Sequence, residues 1–162
     1  MFEAPLEDLV RAFVHLDRMG RKCRREACTY MSSDLIGSLP EDTLRVLRAS
    51  TGTSPLSSPL VVAGKSGTRH SFTLGMKGPV SVLLACDVLI GLTPIDETKV
   101  LSLFIKVYDV NANRVILCAV PSLTLEAKRL AALYKMTVCE GSEKEQAFAK
   151  LSEILRELPK ER

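Results

Sequence analysis

One carboxylate stands out in the sequence. Asp87 sits in the run Leu83-Leu84-Ala85-Cys86-Asp87-Val88-Leu89, where an ionised side chain costs free energy unless it is paired or liganded. It reads either as an acid at a strand end facing solvent or a lysine, or as a metal position or the remnant of one. A second feature is cationic. Arg18, Arg21, Lys22, Arg24 and Arg25 crowd into eight positions with no acid among them, which fits a solvated helix end or a patch facing phosphates. Gly64-Lys65-Ser66 has the ending of a phosphate loop, but the first glycine of that motif would fall at Pro59. A strand also follows where the phosphate site needs a helix N-terminus. A tight turn is the better reading, with Lys65 and Arg69 left as side-chain anion contacts.

Other chemistries lack their residues. Cys23 and Cys28 are separated by four residues, with no second Cys or His pair at ligand spacing, and His15 and His70 are isolated. No zinc site is expected, and no other metal or cofactor. A nucleophile triad could be assembled from Ser or Cys with His70 and Asp87, but the Gly-x-Ser-x-Gly elbow is missing. No turn after a strand carries the glycines of a dinucleotide fold. Five cysteines form an odd set, and Cys86, Cys118 and Cys139 lie in apolar runs as small hydrophobes. With no Trp and only 5% aromatics, a broad stacking platform for single strands is disfavoured.

These residues need a scaffold. The chain has 162 residues, 46% hydrophobic, with a mean hydropathy of +0.13, enough for one core without staples. Met1 to Leu9 carries Glu3, Glu7 and Asp8 and lacks the pattern of a secretory signal. Val80 to Leu92 is an apolar stretch broken by Asp87 and shorter than the ~20 residues of a membrane helix. A cytoplasmic protein without a membrane partner is expected.

Leu6, Leu9, Val10, Phe13 and Leu16 follow the helical period, with Gly20 as a C-terminal cap. A short helix is expected from Glu41 to Ala49 with Leu44 and Leu47 inward, then a loop from Ser50 to Pro59. Residues 1–57 thus read as a helical extension and 58–162 as an α/β core. Strands are expected at Leu60 to Ala63, Arg69 to Met76 and Val80 to Ile90, joined by turns at Gly64–Gly67 and Lys77–Gly78. Thr93-Pro94-Ile95-Asp96 supplies an N-cap and a Pro at the first helical position, and Val100, Leu101, Phe104, Ile105 and Tyr108 mark an inward face. Arg114 to Val120 is a strand, Ala127 to Tyr134 a helix and Met136 to Cys139 a strand. Ser142 and Glu145 suggest a capping box for a last helix carrying Phe148, Leu151, Leu155 and Leu158. The fold class is a mixed central sheet, an antiparallel meander followed by parallel strands, flanked by helices.

Across residues 58–141, the order helix, three-stranded meander, helix, strand, helix resembles the PD-(D/E)xK superfamily, the restriction-endonuclease-like fold that includes archaeal Holliday-junction resolvases. The segments that carry the resemblance are Gly64 to Phe72, the helix ending Phe104-Ile105-Lys106-Val107-Tyr108-Asp109, and Ala127-Lys128-Arg129-Leu130-Ala131 before Val138-Cys139-Glu140-Gly141. Active members hold a divalent metal with an acid on the second strand and acid-x-Lys on the third. Carried over, the second-strand acid falls on Thr73. The third-strand motif falls on Asp87 with Leu89 at the lysine position, or on Ala85 with Asp87 there, and either register loses the lysine. Thr73, Ala85 and Asp87 are therefore vestigial positions, and the resemblance implies a member without nuclease activity, comparable to archaeal proteins of this fold that bind partners.

The leading expectation is a non-catalytic nuclease-like domain that binds DNA or RNA through phosphates, or a protein of the transcription or repair machinery. Arg18, Arg21, Lys22, Arg24, Arg25, Lys65, Arg69 and His70 are its candidate nucleic-acid contacts. A protein-interaction or homodimer module using a strand edge or Leu9 and Phe13 is the second expectation, and a metal nuclease pairing Asp87 with Glu7 the third. The net charge is only +3, but residues 51–90 carry Lys65, Arg69 and Lys77 against Asp87 alone. Carboxylates are short where a nuclease of this fold would gather them.

Overall fold

The computed structural model describes residues 34–51 and 56–158, all within a compact unit spanning Met31–Arg162. Its elements are β1 (Asp34–Leu35), α1 (Glu41–Thr51), β2 (Leu56–Ser57), β3 (Leu60–Ala63), β4 (Arg69–Phe72), β5 (Leu74–Lys77) and β6 (Val82–Ile90), followed by α2 (Glu97–Val110), β7 (Arg114–Val120), α3 (Leu125–Leu133), β8 (Thr137–Glu140) and α4 (Lys144–Glu157). The main sheet has the order β2-β5-β6-β7-β8, with β1 also pairing β6. β2, β5 and β6 are antiparallel neighbours, while β6, β7 and β8 run parallel. The expected class of mixed sheet is present, antiparallel half first.

β6 is the central strand, and its alternation sorts the core. Leu84, Cys86 and Val88 face the layer of α1 and α4, where they meet Leu44, Leu47, Leu151 and Leu155. Ala85 and Leu89 face α2 and α3, against Val100, Leu103, Val107 and Ala127. Period two puts Asp87 on the α2 face between Ala85 and Leu89.

The ribbon from Leu56 to Lys77 is a hairpin bent between two sheets. Its β2 and β5 halves pair in the main sheet, while β3 and β4 pair only with each other. The expected single strand from Arg69 to Met76 is thus two strands, and Thr73 is the break. Gly75 lets the folded-over half lie close, because a Cβ there would meet Leu60 Cδ2 at 2.4 Å and Leu84 O at 2.6 Å. Residues 34–57 are not a separate helical extension. β1 and β2 are strands of the main sheet, and α1 packs against α4.

Two caps differ from expectation. α2 begins after Asp96, whose carboxylate accepts from Thr98 N, and Ile95 instead bridges to Leu123. At α4 no side chain caps the helix, and Ser142 donates from N and Oγ to Gln146 Oε1. The inward face of α2 is also rotated from the expected one. Val100, Leu103, Val107 and Val110 are buried, whereas Tyr108 is exposed.

Candidate functional site

Asp87 is 3% exposed, and both its oxygens are engaged. Oδ1 accepts from Thr73 N at 3.2 Å, and Oδ2 is bonded to the ammonium of Lys106, which reaches across from α2. Lys106 Nζ also donates to Ser71 O at 3.0 Å and lies 4.8 Å from the centre of the Phe72 ring. The ammonium is thus surrounded by a carboxylate, a carbonyl and an aromatic face, the three kinds of group that stabilise a cation best.

Thr73 has a structural task. β5 pairs with β6 as far as Cys86, and β1 takes over the same edge at Leu89 and Ile90. Thr73 sits at the seam. Its hydroxyl donates to Ile36 O at 2.5 Å and accepts from Val88 N at 3.1 Å, so it splices two strand ends onto one edge. Thr73→Val, which keeps the shape and removes the hydroxyl, leaves a carbonyl and an amide without partners and is expected to lower stability by about 1–3 kcal/mol in urea unfolding. A cost near zero would show that water replaces the hydroxyl freely.

The three positions that the resemblance singles out, Thr73, Ala85 and Asp87, are therefore close together, but they do not form a metal donor set. Ala85 offers no donor, the Thr73 hydroxyl is committed to backbone groups, and Asp87 already holds a cation. Among the described residues no group of three or more His, Cys, Asp or Glu side chains is placed to hold a metal ion. The divalent metal that the resemblance implies does not fit these residues.

A second polar cluster joins the hairpin to the end of α2. Asp109, 4% exposed, accepts from Ser66 N at 2.8 Å and from Ser66 Oγ at 2.6 Å, and pairs with His70 Nε2 at 2.6 Å. Its own carbonyl accepts from Lys65 N at 2.9 Å. Burial alone would raise the Asp109 pKa, but the hydrogen bonds from Ser66 and His70 prevail and hold the carboxyl below its ordinary value. Because an ionised carboxylate only accepts, the shared proton lies on His70 Nε2.

This changes the status of His70. Expected beside Lys65 and Arg69 as a nucleic-acid contact, it is 8% exposed and turned inward onto Asp109, because β4 alternates and places Arg69 and Ser71 outward. Lys65 and Arg69 are exposed on the hairpin. Arg18, Arg21, Lys22, Arg24 and Arg25, with Glu7, Leu9, Phe13, His15, Cys23 and Cys28, lie outside the described residues.

Lys106 and Asp109 are the residues that sequence reasoning missed. A signal existed for both, since on a helix Lys106 and Asp109 fall beside Leu103 and Val110 on the buried face. Choosing Phe104 and Tyr108 as the inward face turned them outward. Cys86, Cys118 and Cys139 are buried free thiols, and burial raises the pKa of Cys86 well above its ordinary value, so they act as core residues.

No protein-family model matches the chain, and no curated protein is similar to it. A solved structure does share the fold, that of a protein of unknown function, AF1548, with a TM-score of 0.53 and 11% identity. The match covers 68% of this chain and 61% of that one. At that identity the similarity establishes architecture only. Among the described residues no helix is long and apolar enough to cross a membrane.

Proposed function

We propose that this chain is a non-catalytic nuclease-like domain that binds the phosphate backbone of a nucleic acid. The observation that supports the reading is the ammonium of Lys106, which pairs with Asp87 and donates to Ser71 O. A fixed internal cation there satisfies Asp87 without a metal and offsets the charge with which that carboxylate would repel phosphates. The exposed Lys65 and Arg69, on the hairpin next to that site, supply positive charge toward solvent.

Two phosphate contacts predict a modest and measurable salt dependence. Affinity for a duplex, read by fluorescence anisotropy, is expected to fall about tenfold between ~50 and ~200 mM salt. Lys65→Ala and Arg69→Ala should each weaken binding and flatten that slope by about one contact. Absence of binding to duplex, junction and single strand at low salt would overturn the reading.

A second reading has one observation in its favour, the closeness of an acid and a lysine, which is the pairing a metal-dependent nuclease uses. Its test is cleavage of DNA in magnesium or manganese that disappears in Asp87→Asn. The proposal expects no cleavage in either cation, and a low-salt complex unchanged by chelator.

A further inference from the structure

On the side of α2 turned away from Lys106, an open bay of about 300 Å³ lies between the ends of α2 and α3, at the small end of the range for ligand pockets. Val107, Ala112, Val115 and Met136 contribute its apolar surface, and Phe104, Tyr108 and Tyr134 its aromatic one. Phe104 and Tyr134 stack at 3.8 Å and 12°, so they hold each other in place. Tyr108, tilted 37° to Phe104 at 6.1 Å, is 39% exposed.

Asn111 caps the end of α2 through its backbone, but the polar side chains around this floor are not engaged among the described residues. The side chains of Asn111, Asn113 and Lys135 make no hydrogen bond or ion pair with another described residue. Among the described residues no acid lines the bay, and Lys135 is the cation among them. Asn111 and Lys135 also hold positive φ, 53° and 55°. Asparagine adopts that conformation readily, but lysine does not, and glycine is the usual residue at such a helix end. The helix end closes with Lys135 N donating to Ala132 O and Met136 N to Ala131 O. A lysine thus stands where the backbone conformation alone would favour glycine.

We infer that this bay binds a planar heterocyclic base carrying a phosphate, of the size of one nucleotide. Tyr108 offers the open ring face for stacking, which is favourable for any base. The carboxamides of Asn111 and Asn113 supply the paired donor and acceptor that a base edge presents in return. Lys135 meets the phosphate. The inference does not rest on the Asp87–Lys106 reading, since no residue is shared between the two sites.

The test titrates adenosine 5′-monophosphate and a 5′-phosphorylated oligoadenylate tetramer into the full chain, followed by amide NMR. The expected result is saturable shifts at Asn111, Asn113 and Lys135, weakened about tenfold or more in Tyr108→Ala. Tighter binding of the tetramer identifies a strand end as the source, and tighter binding of the mononucleotide a free nucleotide. Lys135→Gly separates function from structure. It removes the phosphate contact while relieving the positive φ, so binding should weaken with the melting temperature unchanged or higher. Absence of shifts with both probes at millimolar concentration, or binding indifferent to Tyr108→Ala and Lys135→Gly, overturns the inference.

Discussion

Lys106→Met is expected to lower the unfolding free energy by about 3 kcal/mol in urea titration, the low end of the cost of breaking a buried ion pair. The methionine can fill much the same volume against Phe72. What it cannot do is face Asp87, which would stay 3% exposed with only Thr73 N for a partner. The lysine side chain is 17% exposed, so some water reaches the pair, and the loss falls short of that of a fully enclosed pair. Asp87→Asn is expected to cost less, about 1–2 kcal/mol, because its amide oxygen still accepts from Thr73 N. Lys106 meanwhile keeps Ser71 O and can move its ammonium toward water. The double variant Asp87→Asn/Lys106→Met leaves no charge unpaired and should be more stable than Lys106→Met alone, giving a coupling of about 1–3 kcal/mol in a double-mutant cycle. If Lys106→Met costs less than about 1 kcal/mol, the pair behaves as a solvated surface bridge, and Lys106 would not be the fixed cation that the proposed function needs.

The fold was more legible than the site, for a physical reason. β3, β6, β7 and the last two helices announce themselves by apolar periodicity, which reports burial directly. Leu60 to Ala63 and Arg114 to Val120 are strands with the bounds expected. Thr73 shows where that signal ends. Within Arg69 to Met76 the alternation continues across it, so one strand was expected, and the bend between two sheets rests on hydroxyl bonds to Ile36 and Val88 that periodicity does not register. β1 and β2 have two residues each, too few to carry any period, and so residues 34–57 read as an extension.

The site depended on contacts between residues far apart in sequence. Asp87 announced itself as an acid among hydrophobes, and the expectation of a lysine partner was among its two readings. The partner itself, 19 positions away, came from a helix whose apolar face was assigned to Phe104 and Tyr108. Those two are apolar for a different reason, since they line the bay between α2 and α3. A helix with one face in the core and a second on a cavity has two overlapping apolar stripes, and the stripe that holds Lys106 and Asp109 is the one interrupted by charge.

Asp109→Ala is expected to release the β3–β4 hairpin from the end of α2 and to cost about 3 kcal/mol. Three hydrogen bonds end on this carboxylate, two from Ser66 and one from His70. Its removal strands a backbone amide and a ring N–H in a place with little water, at about 1–3 kcal/mol for each buried group left unmade. The loss should be local. Amide exchange is expected to accelerate from Gly64 to Ser71 while β6 and β7 keep their protection, because their ladder does not pass through Asp109. Gly64→Ala tests the same latch from the other side. A Cβ at residue 64 would lie 1.9 Å from Asp109 Oδ2, so the carboxylate must leave its place, and the variant should reproduce the fast exchange without removing the acid. The latch also has a pH signature. Asp109 titrates below its ordinary value of 3.8 in the folded chain, so its contribution is fully present above that value and is lost as pH falls through the lower, folded one. Asp109→Ala should therefore narrow the stability difference from the parent chain only in that acidic window. Lys65 and Arg69 ride on this hairpin, so a released hairpin presents two cations without fixed spacing, and the proposed duplex affinity should fall in Asp109→Ala even though no cation has been removed. Duplex binding that survives while Gly64 to Ser71 exchange freely would separate the hairpin from the nucleic-acid surface altogether.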